Sequence, residues 1–175
     1  LIPPQVYAEK HPEHYQLWKG EKLVIQRYSD GRFVEGLQPC LSHPDVRQII
    51  TTNALAKMAK TPDQLNVNVG QNDSSKYCDC DRCAAIDNYE GSPSGSVITM
   101  TNLVADAVAK NYPGRMVGAF AYSYSEEPPK HLRPRENVLI WYCQNQCFIH
   151  AVDDPSCERN TVQYDRMKRW SQLTD

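Results

Sequence analysis

The sequence predicts an α/β fold on a parallel sheet, and three observations carry that expectation. Helical and strand-like stretches alternate in the order helix, strand, helix, strand, loop, strand, helix. Leu65, Val67 and Val69 alternate with Asn66, Asn68 and Gly70, a strand of period two. Residues 137–143 are almost continuously apolar, as a strand covered on both faces would be. Three strands cannot close a barrel, so an incomplete (β/α) barrel and a small open sheet both fit, each with exposed edges.

The elements follow from local chemistry. Pro3-Pro4 opens a short helix through Val6, Tyr7 and Ala8, and His11-Pro12 interrupts it. Pro12 starts another helical turn toward Trp18, which Lys19-Gly20 ends. Residues 21–39 read as a loop with a short hairpin formed by LVIQRY and RFVEG. Ser42-His43-Pro44-Asp45 marks a helix start, with Ser42 as cap and Asp45 completing a capping box. Val46, Ile49, Ile50, Ala54 and Met58 form its apolar stripe, and Thr61-Pro62 ends it. GSPSGS (91–96) precedes a second long helix with Val97, Met100, Thr101, Val104 and Val108 inward, closed by Tyr112-Pro113-Gly114. Residues 116–122 form a second strand, and SEEPPKHLRPRE leaves no room for a long helix before the third. A last helix is capped within 160–163 and turns Val162, Met167, Trp170 and Leu173 inward. Residues 1–41 are thus an irregular lead-in, and 42–175 carry the alternating units of one incomplete domain.

Composition narrows the function classes. The 175 residues are 41% hydrophobic and 23% charged, with net charge −2, which fits one globular domain. No basic patch suggests nucleic acid, and no apolar run approaches the ~20 residues of a membrane-spanning helix. The opening LIPP has neither Met nor signal-peptide character, so the chain is expected to be an excised segment.

In parallel α/β sheets chemistry collects beyond the carboxyl ends of the strands. All three ends are polar here: Gln71, Asn72 and Asp73; then Tyr122, Tyr124 and Glu126; then Gln144, Asn145 and Gln146. Amides and phenols supply directional hydrogen bonds to sugar hydroxyls, and aromatic faces stack on pyranose rings. Asp73 follows an apolar strand, where partial burial would suit a catalytic acid or base. Glycoside hydrolysis uses a second carboxylate, ~5 Å away for retention or ~6.5–9.5 Å for inversion. Glu126 is the candidate, with Asp153, Asp154 or a group outside the chain as alternatives. His150 is a candidate substrate or metal contact. The simpler account of Asp73 is an Asx-turn closing the strand, and that of His150 a structural loop residue.

Seven cysteines are many for this length. Cys78, Cys80 and Cys83 form a tight cluster, Cys143, Cys147 and Cys157 a looser one, and Cys40 precedes the first long helix. Each lies after a strand or before a helix, so all are expected on the face of the polar strand ends, joined across loops by disulfides. The alternative is zinc held by Cys78, Cys80 and Cys83 with a further thiolate or His150. No cofactor is expected on the primary reading.

The segments HPEHYQLWKG, QPCLSHPDV, VGQNDSSKYCDCDRC, EGSPSGS, AYSYSEEPPKHLRPRENV and CFIHAVDDPSC, in that order, resemble a large bacterial family of unknown function over nearly the whole chain. Its members are typically exported, often carry discoidin-type carbohydrate modules, and resemble glycoside-hydrolase barrels of the α-glucuronidase and β-hexosaminidase-like kind. The resemblance implies the middle portion of a (β/α)8 TIM-type barrel, with the remaining strands supplied by the parent chain. It implies that Gln71, Asn72, Asp73, Tyr122 and Tyr124 line a carbohydrate cleft, and a secreted, periplasmic or cell-surface location. Hexosaminidases carry an Asp-Glu pair at the equivalent strand end, where this chain has Asn72-Asp73. The expected function is therefore glycoside-hydrolase-like action on polysaccharide. The alternatives are a non-catalytic glycan-binding barrel and a cysteine-braced or zinc-stabilised interaction module.

Overall fold

A computed structural model describes residues 1–15, 17–22, 29, 37–143 and 147–174. The lead-in holds α1 (Pro4–Tyr7), a 3-10 turn (Pro12–His14) and a two-stranded hairpin of β1 (Leu17–Trp18) and β2 (Glu21–Lys22). Lys19 and Gly20 turn the hairpin with φ of 53° and 74°, the left-handed backbone that a two-residue hairpin loop requires. The hairpin expected from LVIQRY and RFVEG lies outside the described residues.

The principal unit contains α2 (Pro44–Lys60), β3 (Asn66–Asn68), α3 (Asp81–Glu90), α4 (Ser94–Asn111), β4 (Met116–Ala121), β5 (Val138–Tyr142) and α5 (Glu158–Ser171). β3, β4 and β5 form a parallel sheet in chain order, with Val67 opposite Val117 and Val117 opposite Val138. The α/β class and the parallel pairing thus agree with the sequence.

The two faces of this sheet differ. Val67, Val117 and Val138 point into a core built with Val46, Ala54 and Met58 of α2 and Val104 and Val108 of α4. Farther along the same face, Ala121, Ile140 and Tyr142 meet Ile98 of α4 and Trp170 of α5. All three long helices therefore lie on one side. The alternating residues Asn66, Asn68, Phe120, Leu139 and Trp141 lie on the other. Leu139 is 40% and Trp141 52% exposed, so β5 is not covered on both faces as its apolar run suggests. Period two in the fold overrides continuity in the composition.

Several local readings need correction. Leu65 precedes β3 and is 74% exposed, because pairing begins only at Asn66. The cap of α2 is His43, whose Nδ1 accepts the Asp45 N–H at 3.3 Å, and Ser42 turns elsewhere. On α5, Val162 is 47% exposed, and the buried position in the first turn belongs to Asn160. The helix α3 has no counterpart in the sequence reading. It ends at Gly91, whose φ of 71° gives the left-handed cap that glycine supplies without strain.

Candidate functional site

The loop after β3 is fixed by amide pairing. Gln38 donates from Nε2 to the Asn72 carbonyl at 2.8 Å and accepts the Asn72 N–H at 3.1 Å. Asn72 Nδ2 in turn donates to the Leu37 carbonyl. Gln71 reaches across to the turn after β4, donating to the Tyr122 carbonyl at 2.6 Å and accepting from Ser125 Oγ at 2.7 Å. That turn (Ser123–Ser125, 3-10) carries Ser123 at φ 51°, a left-handed conformation uncommon outside glycine. It is held by Ser125, whose hydroxyl also accepts the Tyr122 N–H. Gly70 sits where the chain leaves β3. A Cβ there would fall 2.3 Å from Phe120 Cδ2, so only glycine permits this approach.

These bonds bring Asp73 and Tyr122 together. The Tyr122 hydroxyl donates to Asp73 Oδ1 at 2.6 Å, and the adjacent carboxylate raises the phenol above its ordinary pKa, so it stays a donor. Asp73 is exposed, contrary to the partial burial expected of it. Beside the loop lies a cavity of about 370 Å³ whose walls include Asn68, Gln71, Asn72, Met100 and Tyr124. The Tyr124 phenol is pushed up by burial. Its ring lies 5.1 Å from that of Tyr77, and Tyr77 lies 5.0 Å from Trp18 of β1, edge to face.

The other sequence candidates separate. Glu126 accepts from Arg166 Nη1 at 2.7 Å and from Gln163 Nε2 at 3.2 Å, both on α5. Next to it, Glu127 is held below its usual carboxylate range chiefly by the Arg169 guanidinium. Asp154 accepts from the N–H and hydroxyl of Ser156, which lower its pKa, in the turn before α5. Asp153 is exposed on the same loop. Gln144 and Asn145 lie outside the described residues.

All seven cysteines are free thiols, so the expected disulfides are not found. Those after β3 and those after β5 fall in separate groups. Cys40, Cys78, Cys80 and Cys83 bring their sulfurs within 4.8 Å of one another. Ser42 stands among them, accepting from Cys83 Sγ at 3.1 Å and lying 3.4 Å from Cys40 Sγ. Thiol hydrogen bonds from Cys78 and Cys83 pull the Cys40 pKa down, while Cys78 and Cys83 are pushed up, each chiefly by Cys40. The loop is tied to the hairpin by Asp79, which donates its N–H to the Leu17 carbonyl at 3.0 Å and accepts the Lys19 N–H.

The second group is Cys147, His150 and Cys157. Cys147 Sγ lies 3.3 Å from His150 Nδ1, which lowers the thiol to about 7 and raises the imidazole. Asn160 organises this loop: its Oδ1 accepts the Cys147 N–H at 2.7 Å, and its Nδ2 donates to the carbonyls of Cys147, His150 and Ala151. His150 thus belongs with Cys147, and Cys143 with neither group.

Gln38, Ser125, Trp18 and Tyr77 are site residues that the sequence reading missed. Only the aromatic character of the last two offered a signal.

These features define an α/β domain whose parallel strands deliver a carboxylate–phenol pair to one loop region, where Trp18 of the lead-in hairpin joins Tyr77 and Tyr124. A family model for a domain of unknown function (DUF4838) matches residues 1–175, and the chain belongs to that family. No curated protein and no solved structure matches it. No helix among the described residues is long and apolar enough to cross a membrane.

Proposed function

We propose that this chain is the middle portion of a glycoside-hydrolase-like (β/α) barrel that acts on polysaccharide outside the cytoplasm. The observation that carries the reading is the 2.6 Å bond between Tyr122 and Asp73, formed across the ends of two neighbouring parallel strands. An exposed carboxylate oriented by a neutral phenol suits proton transfer to a glycosidic oxygen or from an attacking water. The adjoining cavity, with Gln71, Asn72 and Tyr124 in its wall, offers the mixed amide and aromatic lining that sugars favour.

Sheet architecture supports the barrel. Doubly wound sheets place helices on both faces. Here α2, α4 and α5 share one face, and the sequential strand order has no reversal. In a barrel the other face, with Phe120 and Trp141, would point to the interior that remaining strands enclose.

A second reading, a glycan-binding barrel without turnover, is favoured by Glu126. That carboxylate is paired with Arg166 and so is poorly placed to act as partner to Asp73.

The test is hydrolysis of aryl glycosides, including uronic-acid and N-acetylhexosamine types, by the full-length parent and its Asp73→Asn variant. Turnover reduced at least ~100-fold in the variant, with glycan binding kept, is the expected outcome. Glycan binding by both proteins with turnover by neither selects the binding barrel, and neither binding nor turnover ends both readings.

A further inference from the structure

We propose that Cys40, Cys78, Cys80 and Cys83 form a closed, structural zinc site. This is independent of the glycan reading and rests on the geometry of the four sulfurs.

Cys40 Sγ lies 3.6 Å from Cys80 Sγ and 3.9 Å from Cys83 Sγ. Four sulfurs at about 2.3 Å from a zinc ion stand about 3.8 Å apart at the corners of a tetrahedron. A disulfide requires about 2.05 Å and joins only two sulfurs. Cys40 has two nearly equidistant neighbours, an arrangement that favours a shared centre over a pair.

The chain supplies the ligands from three separate places: the approach to α2, the loop after β3 and the first turn of α3. Cys80 is the residue before α3, and its carbonyl accepts the Ala84 N–H at 2.8 Å. This places Cys80 and Cys83 on one C-x-x-C turn at the amino end of a ten-residue helix, where the helix dipole favours thiolate. Cys40, Cys78 and Cys83 are buried, and with Leu17 and Cys80 they form a small cluster separate from the main core. The Ser42 hydroxyl, within reach of Cys40 and Cys83, is placed to donate to a coordinated thiolate as an outer-sphere partner.

Binding releases the thiol protons to solvent: one zinc ion and four thiols give a tetrathiolate of net charge −2 and four protons, with no change of oxidation state. Four protein ligands leave no position for water or substrate, so the ion is structural. It clamps the lead-in to the loop carrying Gln71, Asn72 and Asp73, near the Gln38–Asn72 pairing.

The experiment measures the zinc content of the full chain purified without added metal, alongside the visible spectrum of its cobalt(II)-substituted form. About one zinc per chain and the d–d and thiolate charge-transfer bands of tetrahedral cobalt tetrathiolate are expected. Cys40→Ser and Cys83→Ser should lose the ion, whereas Cys147→Ser and Cys157→Ser keep it. If the first two variants do not fold, the cobalt spectrum of the unaltered protein decides. A folded, metal-free protein, iron in place of zinc, a Cys40–Cys80 disulfide in the folded chain, or zinc retained by Cys40→Ser each overturns the assignment.

Discussion

Two cysteine groups gather beyond the ends of two strands in the same sheet, the first joined by Cys40 from the lead-in, yet their sulfurs live in different surroundings. In the group of Cys40, Cys78, Cys80 and Cys83, sulfur faces sulfur, and Cys83 is fully buried. In the group of Cys147, His150 and Cys157, a thiol faces an exposed imidazole, and order comes from a buried amide. Cysteine spacing alone does not tell them apart; what the neighbouring backbone encloses does. The first arrangement suits a structural role, the second a reactive one.

That contrast breaks most readily at Asn160. It is fully buried and spends its side chain on four backbone groups of the cysteine loop. Asn160→Ala strands those groups, and a loss of about 2–3 kcal/mol in denaturant unfolding is expected. An undiminished midpoint would show that the loop owes its order to something else.

Asp87 sharpens the other side of the comparison, one turn beyond Cys83 on α3. Burial pushes its carboxyl up to about 6, although it accepts the Ser96 N–H at 2.8 Å. A raised folded value favours the protonated form. Asp87 therefore contributes stability below the ordinary aspartate range and loses it as pH rises through about 6. Asp87→Asn keeps an acceptor for Ser96 and should be more stable than the unaltered chain by about 1 kcal/mol at pH 8, with the gain shrinking toward pH 5. Thermal melts at the two pH values check it, and a pH-independent difference counts against the burial account.

The smallest effect on stability, and the clearest on reactivity, belongs to His150. With Cys147 lowered to about 7, its thiolate population rises through neutral pH, below the range of an ordinary cysteine. His150→Ala should leave the melting temperature nearly unchanged and shift the pH profile of Cys147 alkylation upward by roughly one unit. Peptide mapping after brief iodoacetamide treatment reads this directly, and an unmoved profile would sever the pair.

How much of this was legible follows the physics of each element. The α4 stripe of Val97, Met100, Thr101, Val104 and Val108 is wholly buried, because a long helix on a sheet must follow its 3.6-residue period. α3 was not legible: DRCAAIDNYE has no apolar stripe, and its burial depends on Cys83, Asp87 and Glu90. Only Asp81 in its first turn and Gly91 beyond its end mark it locally. At the candidate site, the polar strand ends were visible in sequence. The Asp73–Tyr122 bond was not, because it depends on the register between β3 and β4 and on the turn at Ser123. Trp18 entered the aromatic trio through a hairpin in the lead-in. Ser42 looked like a cap, but the sulfurs around it use its hydroxyl instead.

The sheet face opposite the helices also equips the protein with a built-in optical reporter. Trp141 stands there half in water, whereas Trp170 is enclosed in the core. With Trp18, the third tryptophan, replaced by Phe, their indole fluorescence should therefore separate into a red-shifted, readily quenched component and a blue-shifted, protected one. Any surface that comes to cover the sheet will move the first toward the second, so a titration followed by emission wavelength can detect that closure without a label.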